Sequence, residues 1–156
     1  MKAFNPDVVS NKLVYIEQRL TRLQKFRSIT ADGYAQDIDS QDIIERNLEV
    51  IIQAAADTNR YLLARLTEQG LARLGSVANA ESFLLLAQAD ILPETLAKML
   101  SESGKFRNVL AHLYDEISPE KVIASLRDVL RYYPDYLYAI QSYLDSLIDA
   151  QQGELL

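Results

Sequence analysis

Cysteine is absent from the 156-residue chain, and histidine occurs once. The first absence removes disulfides and thiolate metal sites and fits a reducing compartment. The second leaves any transition-metal site to be assembled mostly from carboxylates, and no carboxylate pair stands out. The N-terminal run Met1-Lys2-Ala3-Phe4-Asn5-Pro6-Asp7 lacks the apolar core of a secretory signal. No apolar stretch approaches the roughly 18 residues that a membrane span needs. A Gly-rich phosphate loop, an H-E-x-x-H helix and an acidic calcium loop are missing too, so neither metal nor cofactor is expected. Repeats and low-complexity tracts are lacking. These absences predict a cytoplasmic protein, with no membrane contact, in one domain over 1–156.

What is present suits a folded core. Hydrophobic residues make up 49% and charged residues 24%, an ordinary balance for a globular chain of this length. The net charge of −6 disfavours broad nucleic-acid binding, since a phosphate backbone is held largely by Lys and Arg. That charge is unevenly spread. Beyond Arg131 only Asp135, Asp145, Asp149 and Glu154 are charged, whereas Lys12, Arg19, Arg22, Lys25 and Arg27 face only Glu17 in the first helical stretch. Such a basic run reads either as a solvated helix face or as a phosphate-facing surface.

Apolar spacing of three and four recurs along the chain. Asn5-Pro6 opens a helix over about 6–27 with the stripe Val9, Leu13, Ile16, Leu20, Leu23 and Phe26. Ile29 to Asp39, with Gly33 and small polar residues, reads as a loop. A second helix spans about 40–69, with Ile44, Leu48, Ile51, Ile52, Ala55, Leu62 and Leu66 on one face and Gly70 as its cap. After a connection through Leu74-Gly75-Ser76 comes a shorter helix around 80–90, then a turn or two from Pro93 through Leu100. Ser103-Gly104 breaks the pattern and leads into a short helix holding Arg107 to Tyr114. Ser118-Pro119-Glu120 restarts the chain with a cap residue, proline and an early acid. The last helix follows Val122, Leu126, Val129, Leu130, Tyr133, Leu137, Ile140, Leu144, Leu147 and Ile148. Pro134 lies within that stripe and predicts a kink. With no convincing strand, the expectation is an all-α, up-and-down bundle of four to five helices. Tyr132, Tyr133, Tyr136, Tyr138 and Tyr143 crowd the last helix, a pattern of packing or subunit interface more than of a stacking platform.

The single histidine sits in Arg107-Asn108-Val109-Leu110-Ala111-His112-Leu113-Tyr114. Arginine neutralises phosphate oxygens with a planar fork, histidine transfers protons near neutral pH, and tyrosine offers a phenolic hydroxyl. At about 100° per residue, Asn108 and His112 stack one turn apart, while Arg107 and Tyr114 share a neighbouring stripe. Spacing alone leaves two readings open: a site for phosphate chemistry, or an amphipathic helix whose His112 bonds a buried carbonyl and whose Arg107 pairs with an acid.

The stretch Lys105 to Tyr114 resembles the R-N-x-x-x-H-x-Y signature of the HEPN superfamily, and specifically of its HepT-like toxins. Gly104 and Phe106 stand where relatives have a Gly-containing bend and a Phe or Leu. Glu45-Arg46-Asn47-Leu48-Glu49 through Ala56-Asp57-Thr58-Asn59, and Phe83-Leu84-Leu85-Leu86-Ala87, are similar to the family's corresponding helices. The likeness runs from about residue 8 to 148, and only the motif is specific. Two features depart from the pattern: Leu113 replaces an acid that many relatives carry beside the histidine, and the chain is acidic overall.

The resemblance implies a metal-independent endoribonuclease toxin whose target is RNA, with tRNA a class of target. It implies Arg107 and His112 as catalytic residues, Asn108 as their support, and Tyr114 as acceptor of AMP from an MNT-type nucleotidyltransferase antitoxin. Cleavage without metal needs a base and an acid at once, and one histidine per chain cannot easily be both, which predicts a homodimer joining two motifs. The competing expectations are a non-catalytic HEPN module that docks a nucleotidyltransferase or nucleotide, and a plain structural bundle.

Overall fold

The computed structural model describes residues 3–66, 77–111 and 117–154. Within them the chain forms six helices: α1 Pro6–Gln24, α2 Ala31–Gln36, α3 Ile38–Leu66, α4 Asn79–Gln88, α5 Glu94–Ala111 and α6 Pro119–Glu154. No strand occurs among the described residues, so the architecture is all-α.

Helix α1 starts as its sequence dictates. The Asn5 side chain accepts a hydrogen bond from the Asp7 amide, Pro6 occupies the first turn where no N–H is needed, and Asp7 faces the helix's positive end. Val9, Leu13, Ile16, Leu20 and Leu23 are buried, and this stripe lies against α3. Each fully buried side chain of this kind contributes about 1.5–3 kcal/mol relative to exposure.

The expected loop over Ile29–Asp39 is corrected by α2. The Thr30 hydroxyl caps it by accepting from the Gly33 amide at 3.0 Å. Asp37 then caps α3 through the amides of Asp39 and Ser40 and the Ser40 hydroxyl. These bonds favour the carboxylate, led by the Ser40 hydroxyl, and hold the Asp37 carboxyl below its usual range. The helix was hidden because six residues carry a single buried anchor, Tyr34, too few to show a period. The Tyr34 hydroxyl bonds Glu45 on α3.

Helix α3 is the 29-residue centre of the bundle and touches every other described helix. Its expected cap at Gly70, and the connection through Leu74-Gly75-Ser76, fall outside the described residues. Helix α4 ends in a left-handed turn at Asp90 (φ 61°), where the Ile91 amide bonds the Leu86 carbonyl and the Asp90 amide bonds that of Ala87. This pattern satisfies the helix's last carbonyls and turns the chain into α5.

A second correction concerns Ser103-Gly104. No break occurs there: α5 runs unbroken from Glu94 to Ala111 and joins two segments expected to be separate. Gly104 is a site of contact instead. A Cβ placed on it would lie 2.6 Å from the Ala80 backbone nitrogen and 2.8 Å from the Ala80 Cα. Only a residue without a side chain lets α5 cross the start of α4 so closely.

Helix α6 continues through Pro134, whose missing N–H deprives one carbonyl of its usual partner without ending the helix. Tyr133 and Tyr136 are fully buried and pack edge-on to Phe83, with centroids 6.5 and 5.8 Å apart. Their hydroxyls are satisfied. Tyr133 shares a hydrogen bond with Ser103, and Tyr136 bonds Asn59 Oδ1 at 2.6 Å, while Asn59 Nδ2 donates to Ser82. Two members of the tyrosine cluster therefore belong to the core, and Tyr138 remains largely exposed.

Candidate functional site

The geometry starts from the crossing at Gly104. One turn further along α5 stands Arg107, and its placement follows from what fixes α4. A polar ridge on α3 holds the start of α4 in place. Gln53 Nε2 donates to Asp57 Oδ1 at 2.8 Å, and Asn79 Nδ2 donates to Gln53 Oε1 at 3.3 Å. Arg60 donates to Asp57 at 2.7 Å, to Asn79 at 2.9 Å and to the Val77 carbonyl at 3.2 Å. With Asn79 held by α3, the backbone of α5 rests on Asn79 and Ala80 at Gly104, and one turn later Arg107 lies beside Glu49 of α3.

There the Arg107 guanidinium meets Glu49. Its Nη2 lies 4.0 Å from Glu49 Oε1, with the side chains 24% and 29% exposed respectively. The other carboxylate oxygen of Glu49 lies 3.6 Å from Nη1 of Arg46, which is 67% exposed. One carboxylate thus stands between two guanidinium groups, one half-buried and one in solvent. The Nε–H of Arg107 is buried and has no acceptor among the described residues. A distance of 4.0 Å is an ion pair without a close hydrogen bond, so Arg107 is held electrostatically and keeps donors free for a further anion.

Asn108 follows Arg107 by about 100° around the helix and is exposed. Arg107 and Asn108 are thus neighbours with different outlooks, one against α3 and one in solvent. His112 and Tyr114 lie outside the described residues. A cleft of about 230 Å³ opens between α5 and α6, lined by Met99, Phe106, Lys121, Asp128 and Tyr132 among others, and Arg107 takes no part in its wall. Among the described residues, no group of three or more His, Cys, Asp or Glu side chains could hold a metal ion. Nor is any described helix long and apolar enough to cross a membrane.

Sequence reasoning singled out Arg107 and gave Glu49 and Arg46 no role beyond their place in a helix similar to the family's. Their local signal, an acid and a base three apart on a long helix, is common on solvated helix faces. Only the tertiary crossing brings the pair to the motif.

Comparison with known proteins places this geometry in context. A family model described as Ribonuclease HepT-like matches residues 16–140. The chain is 36% identical over 147 residues to the tRNA nuclease HepT of Aphanizomenon flos-aquae, covering 94% of this chain and 97% of that protein. It is 25% identical over 138 residues to the mRNA nuclease HepT of Shewanella oneidensis, covering 87% and 98%. The fold is similar to that of the tri-AMPylated Shewanella oneidensis HEPN toxin in complex with its MNT antitoxin, with a TM-score of 0.72 at 24% identity over 87% of this chain and 98% of that one. A crystal structure of a toxin–antitoxin with AMP-PNP is similar in fold as well, with a TM-score of 0.73 at 23% identity over 87% and 98%.

Proposed function

Because the chain belongs to the HepT-like ribonuclease family, we propose that it is a toxin endoribonuclease that cuts RNA by metal-independent acid–base catalysis. Near-full-length similarity to a protein named as a tRNA nuclease carries this reading and makes tRNA the first target class to test. The half-buried Arg107 guanidinium, held beside Glu49 with spare donors, supports it from the structure.

In the proposed reaction a base takes the proton of a ribose 2′-hydroxyl, and the oxygen attacks the adjacent phosphorus. A bond forms from O2′ to phosphorus and the bond to O5′ breaks. An acid gives its proton to the departing O5′, leaving a 2′,3′-cyclic phosphate and a 5′-hydroxyl. Arg107 neutralises the charge that grows on the pentacoordinate phosphorus, His112 transfers protons, and Asn108 supports them. With one histidine per chain, a homodimer supplies the base and the acid from two motifs. Control falls to an MNT-type nucleotidyltransferase antitoxin in the same cytoplasmic compartment. AMP attached to the Tyr114 hydroxyl adds a phosphodiester and a base where RNA must approach, and offers Arg107 a competing anion.

Incubation of the purified protein with total tRNA, with and without EDTA, tests the reaction. Arg107→Ala and His112→Ala are each expected to slow cleavage by about 10²–10⁴-fold, as loss of a positioned catalytic group does. Full cleavage by either variant, or complete inhibition of the unmodified protein by EDTA, refutes the mechanism. Mixing the two variants tests whether a composite dimer site restores activity. Intact-mass measurement after treatment with the nucleotidyltransferase and ATP tests control: equal mass gain by the unmodified chain and Tyr114→Phe removes Tyr114 as the acceptor.

A further inference from the structure

We infer that Arg46 and Glu49 on α3 complete the phosphate site of Arg107, with Arg46 a second RNA-phosphate contact and Glu49 the residue that positions Arg107. This rests on the reading of Arg107 as a substrate-binding residue. Three observations carry it. Glu49 is bracketed by the two guanidinium groups, at 3.6 Å from Arg46 and 4.0 Å from Arg107. The Arg107 Nε–H is buried without an acceptor among the described residues, so its present pairing leaves hydrogen-bonding capacity unused. Arg46 is 67% exposed on the same carboxylate, on the outer side of the half-buried pair.

The charges decide the roles. Two arginines and one glutamate leave a local charge of +1, enough to attract a phosphodiester while keeping the free site from strong self-repulsion. Glu49 lies on α3, the central helix of the bundle, whereas Arg107 carries its guanidinium on a long, rotamer-rich side chain. An ion pair to a half-buried carboxylate narrows the positions that the guanidinium samples before substrate arrives. Arg46 has no such burial and is free to turn from Glu49 to a phosphate oxygen of the strand lying over α3. Its bond to Glu49 is a solvent-screened surface pair that a bound phosphodiester outcompetes readily.

The two roles predict effects of opposite sign at Glu49. Glu49→Gln removes a negative charge beside the RNA path, so a labelled single-stranded RNA oligonucleotide should bind roughly 2–5-fold more tightly. The same change releases Arg107, so kcat on tRNA should fall by about 10-fold or more. A residue that only supported the fold would weaken binding and catalysis together. Binding is measured on chains that also carry His112→Ala, so that the RNA is not consumed. There Arg46→Ala and Arg107→Ala should each reduce the slope of log affinity against log salt by about 0.7. An unchanged slope for Arg46→Ala overturns its assignment, and an unchanged kcat for Glu49→Gln overturns that of Glu49. If Arg107→Ala cleaves at the full rate, the ribonuclease mechanism fails, while the salt slopes still report whether the two arginines share a phosphate site. Should Glu49→Gln fail to fold, the exposed Arg46→Glu substitution replaces it: unaltered RNA affinity for that variant overturns the shared site.

Discussion

Two helical glycines receive the same substitution and are expected to respond differently, Gly104 with the greater loss of stability. In an unobstructed helix interior, Gly→Ala stabilises by about 1 kcal/mol, because alanine loses less backbone freedom on folding. Gly153, next to the last residue of α6, is unobstructed, since a Cβ there has nothing within 4 Å. Gly104 does not: its Cβ would stand 2.6 and 2.8 Å from Ala80 backbone atoms and 3.0 Å from the Asn79 carbonyl carbon. None of these is a flexible side-chain end that could swing aside. To restore ordinary contact, α4 and α5 must separate by several tenths of an ångström, and α4 is tied to α3 through Asn79. Such overpacking costs about 1–3 kcal/mol, so the propensity gain leaves Gly104→Ala between neutral and about 2 kcal/mol destabilising. Gly153→Ala, near a fraying helix end, should be neutral to slightly stabilising. Urea unfolding monitored by circular dichroism gives both values, and on the proposed reading of Arg107 the RNA cleavage rate of Gly104→Ala should fall as well, because Arg107 follows one turn later. A Gly104→Ala chain more stable than Gly153→Ala would refute the backbone-crossing account.

Tyr136→Phe should destabilise by about 1–3 kcal/mol, because it removes the donor to Asn59 Oδ1 and leaves a fully buried amide oxygen short of a partner; a loss below about 0.5 kcal/mol in urea unfolding would show that Asn59 finds another donor. Stability should also fall at both ends of the pH scale, as thermal unfolding across pH will report. The Asp37 carboxyl lies below its ordinary 3.8, so the folded state holds fewer protons there. Its contribution is complete above that value and is lost as pH falls through the lower folded pKa, and Asp37→Ala should flatten that acid limb. Burial pushes the phenols of Tyr34, Tyr133 and Tyr136 above their ordinary 10.0, so their contribution is complete below pH 10.0 and drains away as pH rises beyond it. An alkaline limb that stays flat past pH 10.0 would contradict the burial of these phenols.

Periodicity made the core legible wherever a helix has many turns to display it. Val9, Leu13, Ile16, Leu20 and Leu23, and Val122, Leu126, Val129, Tyr133, Ile140 and Leu144, are buried at the spacing that their sequences show, whereas Leu130 and Leu137 are only partly covered and Ile148 is exposed. It failed where the deciding contact is not periodic. Helix α2 has one buried residue, and its identity rests on the caps at Thr30 and Asp37, whose residue types are equally at home in a loop. Gly104 read as a break because an isolated glycine weakens a helix unless something close requires it. The requirement, the backbone of Ala80, is 24 positions away in sequence.

The candidate site divides the same way. Its motif is local, eight residues that any scan of the chain can find. The carboxylate that holds Arg107 comes from α3, 58 positions earlier, through an α3–α4–α5 chain of contacts that leaves no spacing signature. The open alternative for Arg107, pairing with an acid, and the phosphate-chemistry reading are therefore not exclusive. A guanidinium paired loosely to a half-buried carboxylate is both restrained in the free protein and able to give donors to a phosphate. On the proposed reading, the Glu49 carboxylate that pairs with Arg107 also positions its guanidinium for a phosphate.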